Sequence, residues 1–359
     1  MKKVLFKSFG LLLLMAIIPV AGISAKSSSK KLDYWKFHNK DLRQFIYRNY
    51  DKNQDFKLSK KELKKIKSVQ LDYRKRVVDV RDIGKLPYVT SIRIDGSYKV
   101  DEKDLVTKKT GGIEYVSTLP AQIKGIKTLY KMKKLKSIEM EHCQLEELKT
   151  SNWKNLKNLK IKDCYNFRKL SLKKNKKLES LHIESVKLKK LDVSANKELK
   201  SLSYSGRKYL GNQEKQDKVT ELDLRNNKKL TSLALNWSAD ISLDKVSLYQ
   251  NGAKIQKLDF RFQIDRKEID VSRWNLQNLK EFYCTHAYDD SGRKMDCAVE
   301  RVIIGDVPNL QTVNIFLDPT LKYIQIGAAP KLTSFEYSNK ASKIPGDTDN
   351  VPEVQVVRG

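Results

Sequence analysis

"LKNLKIKDCYNFRKLSLKKNKKLESLHI" runs from Leu156 to Ile183. Its apolar residues fall at Leu156, Leu159 and Ile161, then Cys164, and return at Leu178, Leu181 and Ile183. The pattern extends both ways, to Leu135-x-x-Ile138-x-Met140-x-x-Cys143 before it and Leu199-x-x-Leu202-x-Tyr204 after it, with starts 21, 22 and 21 residues apart. Further starts fit at Leu230, Ile255, Leu279, Leu310 and Leu332, and Val89-x-x-Ile92-x-Ile94 is an earlier unit. A fixed period of this length marks a repeat architecture.

Each unit holds a second apolar pattern: Leu170-Ser-Leu172-x-x-Asn175, Leu191-Asp-Val193-x-x-Asn196 and Leu222-Asp-Leu224-x-x-Asn227. Two short alternating segments per unit predict two strands per coil. Alternation points Leu181 and Ile183 inward and His182 outward, and makes Tyr204 a core residue. A single coil cannot bury its own apolar face, but stacked coils can, so the expected fold is a solenoid with a concave sheet.

The phrases "LKKLDVSANKELKSL" (188–202) and "VTELDLRNNKKLTSL" (219–233) resemble the leucine-rich repeat family, in particular the short-repeat secreted proteins of Gram-positive bacteria. The resemblance covers roughly Val89–Tyr337. It implies a leucine-rich repeat solenoid, mostly β with short turns, that binds proteins or mediates adhesion and carries no chemistry of its own. Cys143 and Cys164 occupy the slot where that family places Asn or Cys. Buried core thiols are the favoured reading, with a Cys143–Cys164 disulfide as the alternative; a Cys284–Cys297 staple is conceivable.

Ahead of the repeats lies "DKNQDFKLSKKE", Asp51–Glu62. An EF-hand loop uses oxygen ligands at positions 1, 3, 5, 7, 9 and 12. Here these are Asp51, Asn53, Asp55, the Lys57 carbonyl, Ser59 and Glu62. Phe56 stands where glycine makes the sharp turn, and a bulky residue at positive φ is costly. Expected calcium affinity is weak, ~10⁻⁴ to 10⁻³ M. The other reading is a metal-free helical cap, and the resemblance to the internalin type implies an EF-hand-like cap of that kind. No cofactor is required.

The predicted organisation is a leader peptide over 1–25, a cap over 26–70, a solenoid over 71–340 that is regular from about 135, and an irregular tail over 341–359. Lys2, Lys3 and Lys7 precede the apolar run Leu11–Val20, and Ile23-Ser24-Ala25 ends in a small residue where cleavage belongs. No second long apolar run and no apolar tail follow. The expectation is export, then release or non-covalent retention at the cell surface.

The net charge is +29, with 72 Lys and Arg against 43 Asp and Glu. Such a field steers anions. The turns Lys173-Lys174-Asn175-Lys176-Lys177, Asn196-Lys197 and Asn227-Lys228-Lys229 are expected to stack into a lysine stripe. A stripe suits an anionic polysaccharide or teichoic acid; export disfavours nucleic acid.

Two repeat intervals stretch to 31 residues, Leu199 to Leu230 and Leu279 to Leu310, with the extra residues near Arg207–Lys218 and His286–Ala298. A smaller excess lies in Ser238–Lys245. Insertions on one edge mark a binding face in repeat proteins. With outward aromatics, they nominate His182, Tyr283, His286, Tyr288 and Phe316 for contact with a protein on a host or bacterial surface. Catalysis is not expected: the four histidines, at 38, 142, 182 and 286, are scattered, and no nucleophile–base or phosphate-loop pattern is present.

Overall fold

The computed structural model describes residues 31–72, 76–98, 119–206, 219–236, 241–261, 266–285, 298–316, 320–338 and 354–359. The predicted leader, the insertions 207–218 and 286–297 (with His286, Tyr288 and Cys297), residues 238–240 and most of the tail lie outside them.

Eleven parallel strands form one long sheet. In chain order they are β1 (Ser68–Asp72), β2 (Ser91–Asp95), β3 (Ser137–Glu141), β4 (Asn158–Lys162), β5 (Ser180–Glu184) and β6 (Ser201–Ser205), followed by β7 (Ser232–Asn236), β8 (Lys257–Asp259), β9 (Glu281–Thr285), β10 (Thr312–Phe316) and β11 (Ser334–Ser338). Register is kept throughout: Ile138, Leu159, Leu181 and Leu202 are successive partners, as are Met140, Ile161, Ile183 and Tyr204. All eight are buried, Tyr204 included as alternation predicts. A slip of one residue would turn this apolar set to solvent, so burial itself fixes the register.

The second apolar pattern makes short parallel pairs on the other side of each coil, Glu147–Leu148 with Lys169–Leu170 and Leu222–Leu224 with Val246–Leu248. This is a leucine-rich repeat solenoid. Two boundaries differ from the sequence reading. Regular stacking begins at Ser68, well before 135, because β1, β2 and β3 already share one register, although β2 and β3 lie far apart in sequence. The tail is not irregular to its end. Gln355–Arg358 pairs in parallel with Tyr323–Ile326, since Val354 and Val356 alternate toward the core.

The turns are tied by buried side-chain amides. Asn175 Nδ2 donates to Thr150 O (3.1 Å) and Trp153 O (2.9 Å). Asn196 Nδ2 donates to Leu172 O (3.2 Å) and Asn175 O (2.8 Å), and Asn227 Nδ2 to Val193 O (3.0 Å) and Asn196 O (2.9 Å). Trp153 takes the same slot one coil earlier, and its indole N–H donates to Leu129 O at 2.9 Å. These carbonyls each accept a backbone N–H as well, so the contact satisfies the buried side-chain donor and links neighbouring coils.

The cysteines do related work at the strand ends. Cys143 Sγ donates to Glu141 O (3.1 Å) and Cys164 Sγ to Lys162 O (3.3 Å). Cys143, Cys164 and Cys284 are buried and in the thiol form. The neighbouring Cys164 thiol, together with burial, pushes the Cys143 thiol well above its ordinary range.

In the cap, helices α1 (Lys40–Asn49) and α2 (Lys60–Lys65) flank the Asp51–Glu62 loop. Asn39 caps α1 through Leu42 N–H at 2.9 Å. The buried Asp82 carboxylate, in the first coil, accepts the backbone N–H of His38 (2.6 Å) and Asn39 (3.2 Å) and binds the Lys85 ammonium (2.8 Å). It fastens the cap to the solenoid.

Two outcomes are expected. Asn196→Asp, nearly isosteric but unable to donate, should lower unfolding free energy in urea by at least about 1–3 kcal/mol; wild-type stability would remove the amide ladder from the account. Maleimide labelling of the native chain should spare Cys143, Cys164 and Cys284 and modify all three after denaturation without reductant. Cys143 and Cys164 joined by a bridge in the mapped peptides would contradict the thiol assignment.

Candidate recognition surface

The long sheet presents three outward rows. Because every strand is in register, the middle row can be read along the solenoid: Gln70, Arg93, Glu139, Lys160, His182, Ser203, Ala234, Asp259, Tyr283, Asn314, Glu336. The character changes midway. The first half is charged and paired within itself, the centre is small and uncharged, and the far end carries an aromatic ring among charged and amide groups.

In the charged half, Lys160 meets Glu141 at 2.6 Å, Lys162 meets Glu184 at 3.1 Å, and His182 meets Glu184 at 2.9 Å. At its margin Glu179 is gripped by Lys157 (2.5 Å) and Lys200 (2.8 Å), whose hydrogen bonds hold its carboxyl down to about 2. Charges compensated this way cost more to desolvate than they return to a partner. His182 is therefore part of a salt lattice, four strands from Tyr283, and the sequence-nominated residues do not form a single cluster.

At the far end Tyr283 lies half-buried in the middle row, and its ring is covered by the Lys257 ammonium at 4.4 Å from the centroid. Lys257 also binds Glu281 at 2.7 Å. Arg261 forks onto Asp259, with Nε at 2.9 Å from each carboxylate oxygen, and its guanidinium is held above its usual range by that contact. Phe316 is half-buried on the next strand beside Thr285, diagonal to Tyr283. Tyr283 and Phe316 thus come together, framed by Lys257 and Arg261. The sequence reading missed those two cations, although their places beside β8 follow from the Ile255 start.

A second missed cluster lies at the strand ends. His142 and Asp163 are left-handed (φ 49° and 50°), as is Ser185 (φ 53°), all at one repeat position. Their N–H groups donate to the following coil. The shared slot sets His142 Nδ1 at 3.0 Å from Asp95 and Nε2 at 3.4 Å from Asp163. Asp95, Glu141 and His142 offer ligand atoms within 4.8 Å of one another. Lys160 and Arg93 lie against Glu141, and Lys162 against Asp163, so this group already has counter-cations. Burial raises the Asp163 carboxyl. Against burial, Ser97 N–H and His142 hold Asp95 low. The equal spacing of His142 and Asp163 was the available signal.

The cap loop spends its oxygens internally. Asp51 Oδ2 accepts Tyr34 O–H (2.7 Å) and Phe56 N–H (2.9 Å). Glu62 accepts Ser59 N–H (2.9 Å), Ser59 O–H (2.7 Å) and Lys52 N–H (3.3 Å). Asp55 is bound by Lys31 and by Lys57 N–H at 3.0 Å, leaving Asp51 Oδ1 as the buried oxygen without a partner. Phe56 takes φ 60° and remains 41% exposed. Its ring stacks on Tyr47 (5.6 Å, 11°) and leans on Trp35 at 4.7 Å.

In the lysine turns, Lys177 donates to Asn155 Oδ1 at 2.9 Å, Lys229 pairs with Glu198 at 2.6 Å, and Lys228 lies over the Tyr249 ring at 5.4 Å. Lys173, Lys174, Lys176 and Lys197 are exposed.

No protein-family model and no curated protein matches the sequence. Solved structures do resemble the fold. The functional domain of InlJ from Listeria monocytogenes, described as including a cysteine ladder, is 18% identical with a TM-score of 0.36; the match covers 79% of this chain and 65% of that one. The internalin InlF of Listeria monocytogenes is 15% identical with a TM-score of 0.44, covering 87% and 99%. A leucine-rich repeat protein of Leptospira interrogans is 14% identical with a TM-score of 0.32, covering 78% and 86%. The chain spans just under two thirds of the InlJ domain.

Proposed function

We propose that the chain is a secreted, non-enzymatic recognition module that binds a protein on a host or bacterial surface through the outward face of β6–β10, with Tyr283 as the anchor. One observation carries the reading: along the middle row, the uncharged residues Ser203 and Ala234 are followed by Asp259, buried and held by Arg261, and then by the Tyr283 ring, with Lys257 over it and Phe316 on the next strand. Small uncharged residues beside Tyr and Arg have the composition of an interface centre. The self-paired charges of β2–β5 would form its polar rim. Surface location agrees with the leader-like N-terminus, and no helix among the described residues is long and apolar enough to cross a membrane.

Calcium has no part in this reading. Support comes from the loop carboxylates, whose oxygens other than Asp51 Oδ1 are engaged by Tyr34, Phe56 N–H, Ser59, Lys52 and Lys31, and from a phenylalanine at the sharp turn. The loop then serves as a hydrogen-bonded cap over the first coil.

Labelled chain applied to bacterial and mammalian cells should bind in a way that protease treatment of the cells abolishes and moderate salt does not. Tyr283→Ala should weaken that binding at least about tenfold while leaving the circular dichroism spectrum unchanged. Binding that survives protease treatment would sink the reading. Separately, millimolar calcium should leave the melting temperature of the full chain unmoved, and a saturable rise would restore the loop as a metal site.

A further inference from the structure

We infer that the protein carries a second binding site, a basic groove on its short-strand side, that takes a linear polyanion built of hydroxylated units with an anion on each unit. This site is separate from the Tyr283 face and does not depend on it.

The groove has a volume of about 720 Å³ and runs over the paired strands Glu147–Leu148 and Lys169–Leu170 into the coil of Lys189 and Lys190. Its rim carries Lys149, Arg168, Lys169, Lys174, Lys189 and Lys190, all exposed. Among the lining residues the one acid is Glu147, 3.3 Å from Lys149. The floor is apolar, made by Leu148 and Leu170. The buried Thr150 hydroxyl is committed to Ser171 O at 2.7 Å and Asn175 Oδ1 at 2.6 Å.

The repeat sets the spacing. Arg168 and Lys169 both donate backbone N–H to Glu146 O, which locks neighbouring coils together. Coils stacked through parallel strands lie about 4.8 Å apart, so the cations recur along the solenoid axis. A compact anion could engage only one coil's share. A chain of anions laid along the axis can meet all three, and each contact releases counterions. The lining contains no aromatic side chain, which leaves bases nothing to stack on and disfavours single-stranded nucleic acid. Lysine stems and leucines suit sugar or polyol units between the charges. The site differs from the lysine turns that the sequence points to: of those residues only Lys174 reaches the groove.

The test compares the full chain with a groove variant (Arg168→Glu, Lys169→Glu, Lys190→Glu) and a turn variant of equal charge (Lys173→Glu, Lys176→Glu, Lys197→Glu). The probes are poly(glycerol phosphate), heparin and a single-stranded DNA oligonucleotide, each titrated over a salt series. Poly(glycerol phosphate), heparin or both should bind. The groove variant should bind at least about tenfold more weakly, with a salt slope shallower by about two, and the turn variant within about twofold of wild type. Which of the two polymers binds more tightly identifies the anion as phosphate or sulfate. Equal losses in both variants would reduce the effect to net charge and overturn the proposal. So would failure of the wild type to bind either polymer, or DNA binding as tight as theirs and lost with the groove. Tyr283→Ala should leave polymer binding unchanged, so this proposal and the protein-binding face can fail separately.

Discussion

Everything in this molecule depends on a coil being unable to bury its own apolar face. Leu159 and Ile161 are covered only because Ile138 and Met140 lie on one side and Leu181 and Ile183 on the other, in fixed register. Hydrophobic burial and strand pairing are thus the same event here, repeated along the chain. The outward rows are a by-product of that constraint. Their side chains take no part in closing the core and are free to vary, which is why one sheet holds a salt lattice, a small uncharged strip and an aromatic patch in succession.

Ends and turns need separate solutions. At the N-terminal end the cap covers the first coil, and the buried Asp82 carboxylate holds it through two backbone N–H groups and Lys85. At the turns, side-chain amides add a second hydrogen bond to carbonyls that already accept a backbone N–H, and so tie each coil to the one before. Where Asn is missing, Trp153 supplies an indole N–H, and at the strand ends thiols donate in its place. The chemistry of each slot is looser than its geometry: it needs a small or flat donor at that depth.

The repeat was legible because its period is carried by leucine and isoleucine at invariant offsets, and alternation then assigned Tyr204 inward and His182 outward correctly. The early coils were less legible, because the long sequence interval between β2 and β3 hides a register that only strand pairing reveals. The site was legible residue by residue but not as an arrangement. Tyr283 and Phe316 read as outward aromatics, yet neither the cation over Tyr283 nor the salt lattice around His182 follows from spacing alone. The basic groove escaped because its cations come from three coils and from different positions within each. The lysine turns drew attention because charges run together there in sequence, although Lys177 and Lys229 are engaged by their neighbours.

The asparagine ladder also has a direction. Asn175, Asn196 and Asn227 each donate to carbonyls of the coil before, and Trp153 does the same. A coil that joins the stack therefore brings its own donors and finds its acceptors already in place. A coil without its predecessor would hold a buried amide with nothing to bond. For the ladder, order of synthesis and order of satisfaction coincide: each coil's amide meets a turn already formed, whereas growth in the reverse sense would leave an amide waiting at every step.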